Sequence, residues 1–581
     1  MRGSSSSIRG ASIAALALAL GLLLAFARAA RASTYVVYIP LDDPIYSELD
    51  TLNSLGYTPD YLDAIKPISR IEAARLTIEA QEQLGRKVQT DALAAEIVRD
   101  LNRQLAQEVG WLKNNREDNP PTAILNPLSR AELQYVFSRG RERFWEVTQQ
   151  EGPVIKADEG TPLMPNNDGL PTAPGSNEAL RAGAWGGIGG FLTGYGEVAV
   201  AGPFGHDPED TTRVRPLGAE AVASLGDFAL SFGQEEMWWG TGRLASISQS
   251  DNADPIPGFR LQTIHPRILP GFLRYLGQFR MQIFLAKLDA GRFLSRPSAT
   301  SPLATFAHPW LCGQTLAFRT LPNFEWGITH AIMFGGSGNN GYSFAGFLER
   351  ATSINTGNPV SGNTNSQAGV YLRFRFPRLR DSVLYVQTNA EDNFTNELRP
   401  IGGALPILSI SYQGGYYLPR LTRDGRTDLL FEWTIIEPNY STHSDSLYWS
   451  YSDRLMDDPL GPNASEIDFQ IGRWLPNLTK ASGDLFFTDR APKQAGNVFL
   501  PSRFYGPSST MHHERSAGFA FDLLAIPQTK LLGDDFLAFG RARLALEYCD
   551  HMDFQPPGEW RGLASLTFGL KPTWGGWSWT R

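Results

Sequence analysis

The sequence predicts a transmembrane antiparallel β-barrel that follows a small N-terminal helical bundle. Three observations carry this prediction: an export signal at the start, a composition with little charge and many aromatic residues, and an apolar period that changes from 3.6 to 2 near Leu133. Charged residues make up 19% of the chain, below the ~25% usual for soluble domains, while Phe, Tyr and Trp reach 11%. This balance is typical of an outer-membrane barrel, and a large secreted β-protein is the alternative.

Residues 1–32 have the parts of a secretory signal peptide. Arg2 and Arg9 precede an apolar run over 11–27, and small-x-small triplets follow it, so we predict cleavage after Ala32. The run is shorter than the ~20 residues that a spanning helix needs. Later segments never reach about 18 uninterrupted apolar residues, so the mature chain is expected to be exported without a helical membrane span.

Charge and cysteine content exclude several classes of protein. The signal peptide holds four arginines and no acid, so its removal takes the formal charge from −8 to −12. An acidic exported chain is a poor candidate for nucleic-acid binding. The two cysteines, Cys312 and Cys549, leave open one disulfide in an oxidising compartment but exclude a disulfide framework. Neither a metal site nor another cofactor is indicated.

Residues 33–120 are predicted to form a periplasmic bundle of three helices. Asp42-Asp43-Pro44 gives a cap followed by proline in the first turn of the first helix. A capping box at Ser69–Glu72 opens the second helix, and an apolar stripe from Leu93 to Leu112 marks the third. Because apolar stripes need a partner surface, we expect the bundle to dock against the barrel.

Residues 121–581 are predicted to form the barrel. Apolar and polar residues alternate in segments such as 278–286 and 370–376, and such segments recur almost to the C-terminus. Short and long connections alternate between them, as they do in outer-membrane barrels. The predicted short turns are Gly194–Gly196, Leu321–Asn323 and Pro377–Asp381, and the predicted long connections are 203–217, 334–366 and 437–480.

The polar faces of the predicted strands carry arginines that we assign to the lumen. These are Arg280, Arg319, Arg373, Arg375, Arg541 and Arg543. Two interpretations stay open. The guanidinium groups select anions in an open pore, or they form a ladder of ion pairs with Glu325, Glu432 and Glu547.

Two segments carry a resemblance to a known family. YIPLDDPIYSELDTLNSLGY (Tyr38–Tyr57), together with EEMWWGTGR at 235–243 and SDNADPIP at 250–257, resembles the capsule assembly proteins of the Wzi family. The order of signal, helical bundle and barrel is similar as well. The resemblance implies an outer-membrane barrel of about eighteen strands with a periplasmic bundle. It also implies a lectin that retains capsular polysaccharide without a catalytic step, but it supplies no ligand residues.

The tryptophan-rich segment has two interpretations. The strand that ends near Gly233 is expected to descend, which places the segment at the periplasmic mouth or inside the lumen. Aromatic faces with flexible glycines there make a plug or a docking seam for the helices. A platform on which sugars stack, with an arginine that contacts anions, is the alternative. The residues concerned are Trp238, Trp239, Gly240, Gly242, Arg243, Asp251 and Asn252.

A polar loop that is rich in aromatic residues is the candidate glycan-binding surface. Sugar rings rest their C–H faces on aromatic rings, while their hydroxyl groups need polar partners. The strand before this loop is expected to ascend to the outside of the cell. An interfacial aromatic girdle or ordinary loop packing explains the same pattern. The candidate residues are Tyr440, Tyr448, Trp449 and Tyr451.

Together these features predict a non-enzymatic outer-membrane barrel that binds capsular or exopolysaccharide and helps to assemble or retain it at the cell surface. Outer-membrane lipid and other capsule export components are the further partners that this prediction implies. A channel for sugars or anions, lined by the lumen arginines, is the alternative function. A barrel enzyme is a weaker one, because no spacing in the sequence singles out a nucleophile beside a base.

Overall fold

A computed structural model of the chain shows a closed β-barrel, and helices precede the barrel strands in the sequence. The structure describes residues 34–86, 91–113, 120–148, 154–170, 172–202, 213–289, 308–336, 364–391, 410–437, 440, 449–452, 454–490, 512–526, 530–531, 536–552, 556–572 and 576–579. The predicted signal peptide, 1–32, lies outside these residues. Both described cysteines, Cys312 and Cys549, carry free thiols.

The helices lie before the first barrel strand and differ in number from the prediction. They are α1 (Pro44–Ser54), α2 (Arg70–Arg86), α3 (Ala92–Gln104) and α4 (Ala106–Lys113). Asp43 caps α1 as predicted, because its carboxylate accepts the Ile45 N–H at 2.9 Å and Pro44 follows it. The single third helix of the prediction is wrong: Leu105, with φ −115° and ψ 25°, separates α3 from α4. None of these four helices is both long enough and apolar enough to cross a membrane.

Most of the described residues are in strands. The strands, in chain order, are β1 (Ile65–Lys66), β2 (Ala123–Arg139), β3 (Arg143–Thr148), β4 (Val154–Gly160), β5 (Gly175–Ile188), β6 (Leu192–Ala201), β7 (Arg213–Leu225), β8 (Phe228–Glu235), β9 (Trp238–Trp239), β10 (Ile256–Thr263), β11 (Arg267–Ile268), β12 (Gln278–Lys287), β13 (Trp310–Leu321), β14 (Phe324–Phe334), β15 (Thr364–Phe376), β16 (Ser382–Glu391), β17 (Ile410–Leu418), β18 (Thr427–Ile436), β19 (Ser450–Tyr451), β20 (Arg454–Leu455), β21 (Ala464–Trp474), β22 (Thr479–Arg490), β23 (Glu514–Ala525), β24 (Lys530–Leu531), β25 (Phe536–Asp550), β26 (Glu559–Pro572) and β27 (Trp577–Trp579). Short 3₁₀ helices follow β11, β15 and β21 at Gly271–Leu276, Pro377–Leu379 and Pro476–Leu478.

Eighteen strands close the barrel in the described part of the chain. The short strands β11, β24 and β27 continue β10, β23 and β26, because each pairs with the same neighbour as the strand before it. Strand β2 closes the ring by pairing with β26 on one side and with β5 on the other. The pairs β1–β9, β3–β4 and β19–β20 lie outside the ring.

The faces of the strands are reversed relative to a soluble sandwich. On β2, Leu133, Tyr135 and Phe137 are exposed, whereas the intervening Gln134 and Ser138 are buried. An apolar outer face meets lipid, and a polar inner face lines the lumen. The alternation that was ambiguous in the sequence is therefore that of a membrane barrel.

Short turns and long connections lie at opposite ends of the barrel. The turns after β13 and β15 occur where they were predicted, at Leu321–Asn323 and Pro377–Asp381. Two predicted connections are wrong, and a third, 203–217, runs into β7; its residues 203–212, like residues 337–363 of the predicted connection 334–366, lie outside the described residues. Gly194–Gly196 lies inside β6, and the short turn is at 189–191. The predicted long connection over 437–480 contains β21 and the start of β22.

One turn that the prediction missed changes the direction of β8. Gly226 and Asp227 form a two-residue turn between β7 and β8, and Gly226 has φ 62°. Strand β8 therefore runs toward the end with the long connections, opposite to the predicted descent. The segment that follows β8 begins at that end and reaches the helices only by folding into the lumen.

Candidate functional site

Two segments of the chain itself lie inside the lumen. The first, here called the plug, comprises the described residues of 34–113. The second, here called the crossing, comprises residues 236–255 and joins the adjacent strands β8 and β10. The Leu41 N–H donates to the Glu236 carboxylate at 2.6 Å, which connects the plug to the crossing.

The crossing reaches the opposite wall of the barrel. Gln387 on β16 accepts the Thr241 N–H at 3.1 Å, and Gln413 on β17 donates to the Ala245 carbonyl at 3.0 Å. On β18, the Glu432 carboxylate accepts the backbone N–H groups of Arg243 at 2.8 Å and Leu244 at 3.1 Å. The middle of the segment is thus held by side chains of three lumen-wall strands.

The two tryptophans form a seam between the crossing and the plug. As strand β9 they pair antiparallel with β1 of the plug, with Trp239 opposite Ile65 and Trp238 opposite Lys66. The Trp239 ring is buried 5.2 Å from the Phe284 ring, and its Nε1 donates to Gln282. Trp238 is half-buried and lines a smaller cavity of about 370 Å³. This is the geometry of a docking seam.

Two glycines allow the crossing to approach the wall. Gly240 has φ 126°, and a Cβ there would collide with the Gln387 side chain. A Cβ on Gly242 would collide with the Ala245 carbonyl and with the Gln413 side chain. Any larger residue at these two positions would push the crossing away from β16 and β17.

Arg243, Asp251 and Asn252 are all in the interior. The Arg243 guanidinium lies 3.9 Å from the centre of the Tyr417 ring and donates to the Ser54 hydroxyl at 3.0 Å. Asn252 donates to the Leu455 carbonyl at 3.1 Å. Asp251 is buried in the wall of the smaller cavity. The arginine therefore joins the crossing to the plug and to β17 rather than projecting into an open pore.

Three of the predicted lumen arginines hold the plug by its backbone. Arg280 donates to the Pro67 carbonyl at 3.2 Å, Arg319 to the Tyr61 carbonyl at 2.6 Å, and Arg375 to the Ser54 carbonyl at 2.8 Å. Carbonyl oxygens at the ends of helices and in turns need such donors when they are buried. These guanidinium groups are consequently engaged by the chain itself.

The other three predicted lumen arginines lie beside carboxylates. Arg373 is 3.6 Å from Asp63 of the plug, and Arg541 is 3.3 Å from Asp42. Arg543 pairs instead with Asp522 on the neighbouring strand at 2.8 Å. Of the three glutamates proposed for the ladder, Glu325 pairs with Arg319 at 2.9 Å, Glu547 pairs with Arg561 at 3.0 Å, and Glu432 accepts the two N–H groups of the crossing.

Asp42 is the charged centre of the plug's contact with the wall. Arg130 donates to it through both terminal nitrogens, one at 2.6 Å, and Arg541 and Arg181 lie 3.3 Å and 3.5 Å away. Burial alone raises the pKa of the Asp42 carboxyl, but the arginines outweigh it and hold that pKa well below its usual range. The sequence interpretation used Asp42 only as part of a helix cap and did not single out Arg130 or Arg181.

Part of the lumen stays unfilled beside the plug. A cavity of about 560 Å³ lies between the plug and the wall formed by β21, β22, β23, β25 and β26. Residues 161–168 and 458–460 close it on a further side. Within the described residues, no cluster of three or more His, Cys, Asp or Glu side chains is arranged to hold a metal ion.

The aromatic residues of the predicted glycan loop lie mostly in the interior. Tyr440 is fully buried, and its hydroxyl accepts from Asn389 at 2.6 Å and donates to the Ile247 carbonyl of the crossing. Trp449 is buried in one apolar cluster with Trp239, and Tyr451 packs against that cluster. Tyr448 lies outside the described residues. Tyr440 and Trp449 expose no ring face to a sugar in this conformation, and glycan binding by this loop stays a prediction.

Comparison with known proteins identifies the family. The family model described as capsule assembly protein Wzi matches residues 147–521, more than half of the chain. The chain belongs to the Wzi family. A Klebsiella pneumoniae protein named as an uncharacterized 55.8 kDa protein in the cps region is 24% identical over 165 residues, which are 28% of this chain and 30% of that protein. The match thus spans less than a third of that relative.

Solved structures align with most of the chain. Wzi of Escherichia coli, described as an outer-membrane protein involved in group 1 capsule assembly and as a carbohydrate-binding β-barrel, is 16% identical. The alignment covers 91% of this chain and 98% of that one, with a TM-score of 0.61. OprD of Pseudomonas aeruginosa is 9% identical, with 77% of this chain and 94% of that one covered and a TM-score of 0.39.

These comparisons confirm the family, the barrel and the cellular location that the sequence predicted. The protein is an outer-membrane β-barrel of the Wzi family with eighteen strands. The two segments that carried the resemblance are parts of the plug and of the crossing. The motifs therefore belong to the parts of the chain that occupy the lumen.

One partly buried carboxylate in the plug makes the stability of the plug depend on pH. Glu79 lies on α2, accepts the Asp60 N–H at 3.2 Å, and has Arg75 no closer than 3.6 Å. Burial raises the pKa of Glu79 to about 8, the Asp60 carboxylate adds to the rise, and Arg75 only partly opposes it. The folded plug thus keeps a proton that the unfolded chain, with an ordinary pKa of 4.5, releases. Stability is lost as the pH rises from 4.5 to 8.

We expect Glu79→Gln to remove this loss. At pH 9 the variant should raise the free energy of opening of α2 by at least about 1 kcal/mol, and at pH 4 it should have little effect, because Glu79 is then neutral in both states. Amide exchange in α2, corrected for the intrinsic effect of pH, measures both values. Glu82→Gln, at an exposed position of the same helix, is the control. An equal gain in the free energy of opening at the two pH values would contradict the raised pKa of Glu79.

Proposed function

We propose that this barrel binds capsular or exopolysaccharide at the cell surface and helps to assemble or retain it there, without carrying out chemistry. The polymer is its principal partner. Lipid of the outer membrane surrounds the apolar face, and other capsule export components are partners in assembly. The proposal extends to this chain the description of its E. coli relative as a carbohydrate-binding barrel involved in capsule assembly.

The filled lumen is the observation that carries the proposal. Five of the six predicted lumen arginines lie against the plug, and the crossing is bonded to strands on the opposite wall. A channel for sugars or anions needs guanidinium groups that face a continuous aqueous path. Here these groups are occupied by the protein's own carbonyls and carboxylates. A surface that binds polymer needs no such path.

Deletion of the gene is expected to shift polysaccharide from the cell surface into the medium. The cell-bound fraction should fall severalfold while total polymer stays unchanged, because a binding protein retains polymer but does not make it. Hexose and uronic acid assays of washed cells and of medium measure the two fractions, and restoring the wild-type gene is the control. An unchanged distribution would contradict retention, and a fall in total polymer would indicate a role in synthesis.

The same proposal predicts silence in planar bilayers. Purified wild-type protein should give no steady open conductance, because the plug and the crossing obstruct the lumen. A stable ohmic pore at neutral pH would favour the channel instead. Together the two measurements separate the binding function from the transport function.

A further inference from the structure

The unfilled part of the lumen has the size and depth of a ligand site. Its volume of about 560 Å³ lies within the range of ~300–1,000 Å³ that is usual for small-molecule pockets. Asp42 and Tyr46 of the plug line one side, and the inner faces of β21 to β26 line the other. Phe486 on β22 adds an aromatic surface to this wall.

Three carboxyl groups that line this cavity have no cation within ion-pair distance, although arginines and a lysine line it elsewhere. Glu466 and Asp468 on β21 and Asp484 on β22 form no ion pair with any described residue, in contrast to Asp522 and Glu547 nearby, which pair with arginines. Because β21 and β22 are adjacent and Gln470 pairs with Asp484, the three carboxylates form one acidic patch on the wall.

Unsatisfied acceptors also occur on other walls of the same cavity. Asp168, in the segment that closes the cavity, is 2% exposed, and its Oδ1 has no hydrogen-bond donor among the described residues. Gln134 on β2 is 6% exposed, and its Oε1 lacks a donor in the same way, as does Oδ1 of Asp484. Each such buried atom is destabilising unless something donates to it. A ligand in this cavity must therefore bring donors.

We propose that this cavity binds a short, neutral, hydroxyl-rich saccharide segment. Sugar hydroxyl groups supply donors to Asp168, Gln134 and Asp484, and the C–H face of a sugar ring rests against Phe486. An acidic sugar is rejected, because its carboxylate would meet the unpaired carboxyl groups of β21 and β22, while Lys480, Arg541 and Arg543 in the lining already pair with carboxylates of the chain. The inference rests on the proposed function, since the segment would come from the polymer that the barrel retains.

Fragments of the polymer test the ligand class. Oligosaccharides of two to four sugars, prepared by partial hydrolysis of the surface polysaccharide of the same bacterium, are separated into neutral and acidic pools. Isothermal titration of the purified protein should detect binding of the neutral pool only. Binding of the acidic pool with equal affinity, or of neither pool, would overturn the proposal.

Variants locate the binding site. Replacing two acceptor carboxylates, as Asp468→Asn with Asp484→Asn, should weaken binding of the neutral pool at least tenfold and admit the acidic pool. Ser565→Phe, which fills the cavity from β26, should abolish binding of the neutral pool. The matched control is Asp424→Asn, in an exposed turn, and it should bind as the wild type does. Heat-modifiable gel mobility verifies the barrel in every variant, and unchanged binding in both cavity variants would overturn the site.

Failure of the inference and failure of the proposed function give different results. If gene deletion releases polymer but the cavity variants bind neutral fragments normally, only the lumen site is wrong. If gene deletion leaves the polymer on the cells, the retention function itself is wrong, whatever the fragments do.

Discussion

Replacing Asp42 with alanine is expected to loosen the plug and to make the lumen conductive. The carboxylate is bonded to Arg130 and lies within 3.5 Å of Arg181 and Arg541, so its removal leaves two buried guanidinium groups and one half-buried one without their shared partner. Breaking a buried ion pair from one side costs about 3–5 kcal/mol. Local opening of the plug should rise by at least a hundredfold, since each ~1.4 kcal/mol is a factor of ten.

Two measurements follow the loosening of the plug. Amide exchange across 34–113 should become faster, and planar bilayers should show transient or steady openings that the wild type lacks. Glu82→Ala is the control, because its pair with Arg86 is exposed on both sides and such pairs contribute only about 0.3–0.5 kcal/mol. If the Asp42 variant kept wild-type amide protection and gave no conductance, the backbone contacts of Arg280, Arg319 and Arg375 would be sufficient to hold the plug.

The architecture was readable from the sequence because it depends on local patterns. Period-2 alternation, few charges and abundant aromatic residues are properties of every strand in a membrane barrel, and each strand repeats the signal. The cap at Asp43 and Pro44 was equally local, and it occurs where it was predicted. The predicted direction of β8 was wrong because a single short turn decides it. The turn at Gly226 and Asp227 shifts the outward-facing positions from odd numbers at the end of β7 to even numbers in β8, and the prediction overlooked this shift.

The arrangement inside the lumen was not readable, because its contacts are distant in sequence. Asp42 meets Arg130 across 88 positions and Arg541 across 499. A helix cap needs only one of the two adjacent aspartates, Asp42 and Asp43. The presence of the second aspartate therefore indicated another role. The resemblance located both lumen segments but did not say what they touch. Burial of Tyr440 depends on Asn389 and Ile247, which no loop pattern reveals.

The seam between plug and crossing should depend on one of the two tryptophans. Trp239 is buried against Phe284 and donates to Gln282, so Trp239→Ala removes a large buried ring and a hydrogen bond. Such truncations cost about 3–5 kcal/mol, and the cost increases with the cavity that remains. The backbone pairing of β1 with β9 would then lack the packing that shields it from water.

We therefore expect Trp239→Ala to speed amide exchange at Ile65 and throughout 236–255, while the barrel strands stay protected. Trp238→Ala is the matched control: this ring is half-buried beside the smaller cavity, so its loss should cost less than half as much. A larger effect from Trp238→Ala would mean that the half-buried Trp238 ring holds the seam. The sugar-stacking interpretation of the motif would then lose its best residue. Equal protection in both variants would mean that Gly240, whose N–H donates to the Ala64 carbonyl at 2.8 Å, and the wall contacts of the crossing hold the seam without either ring.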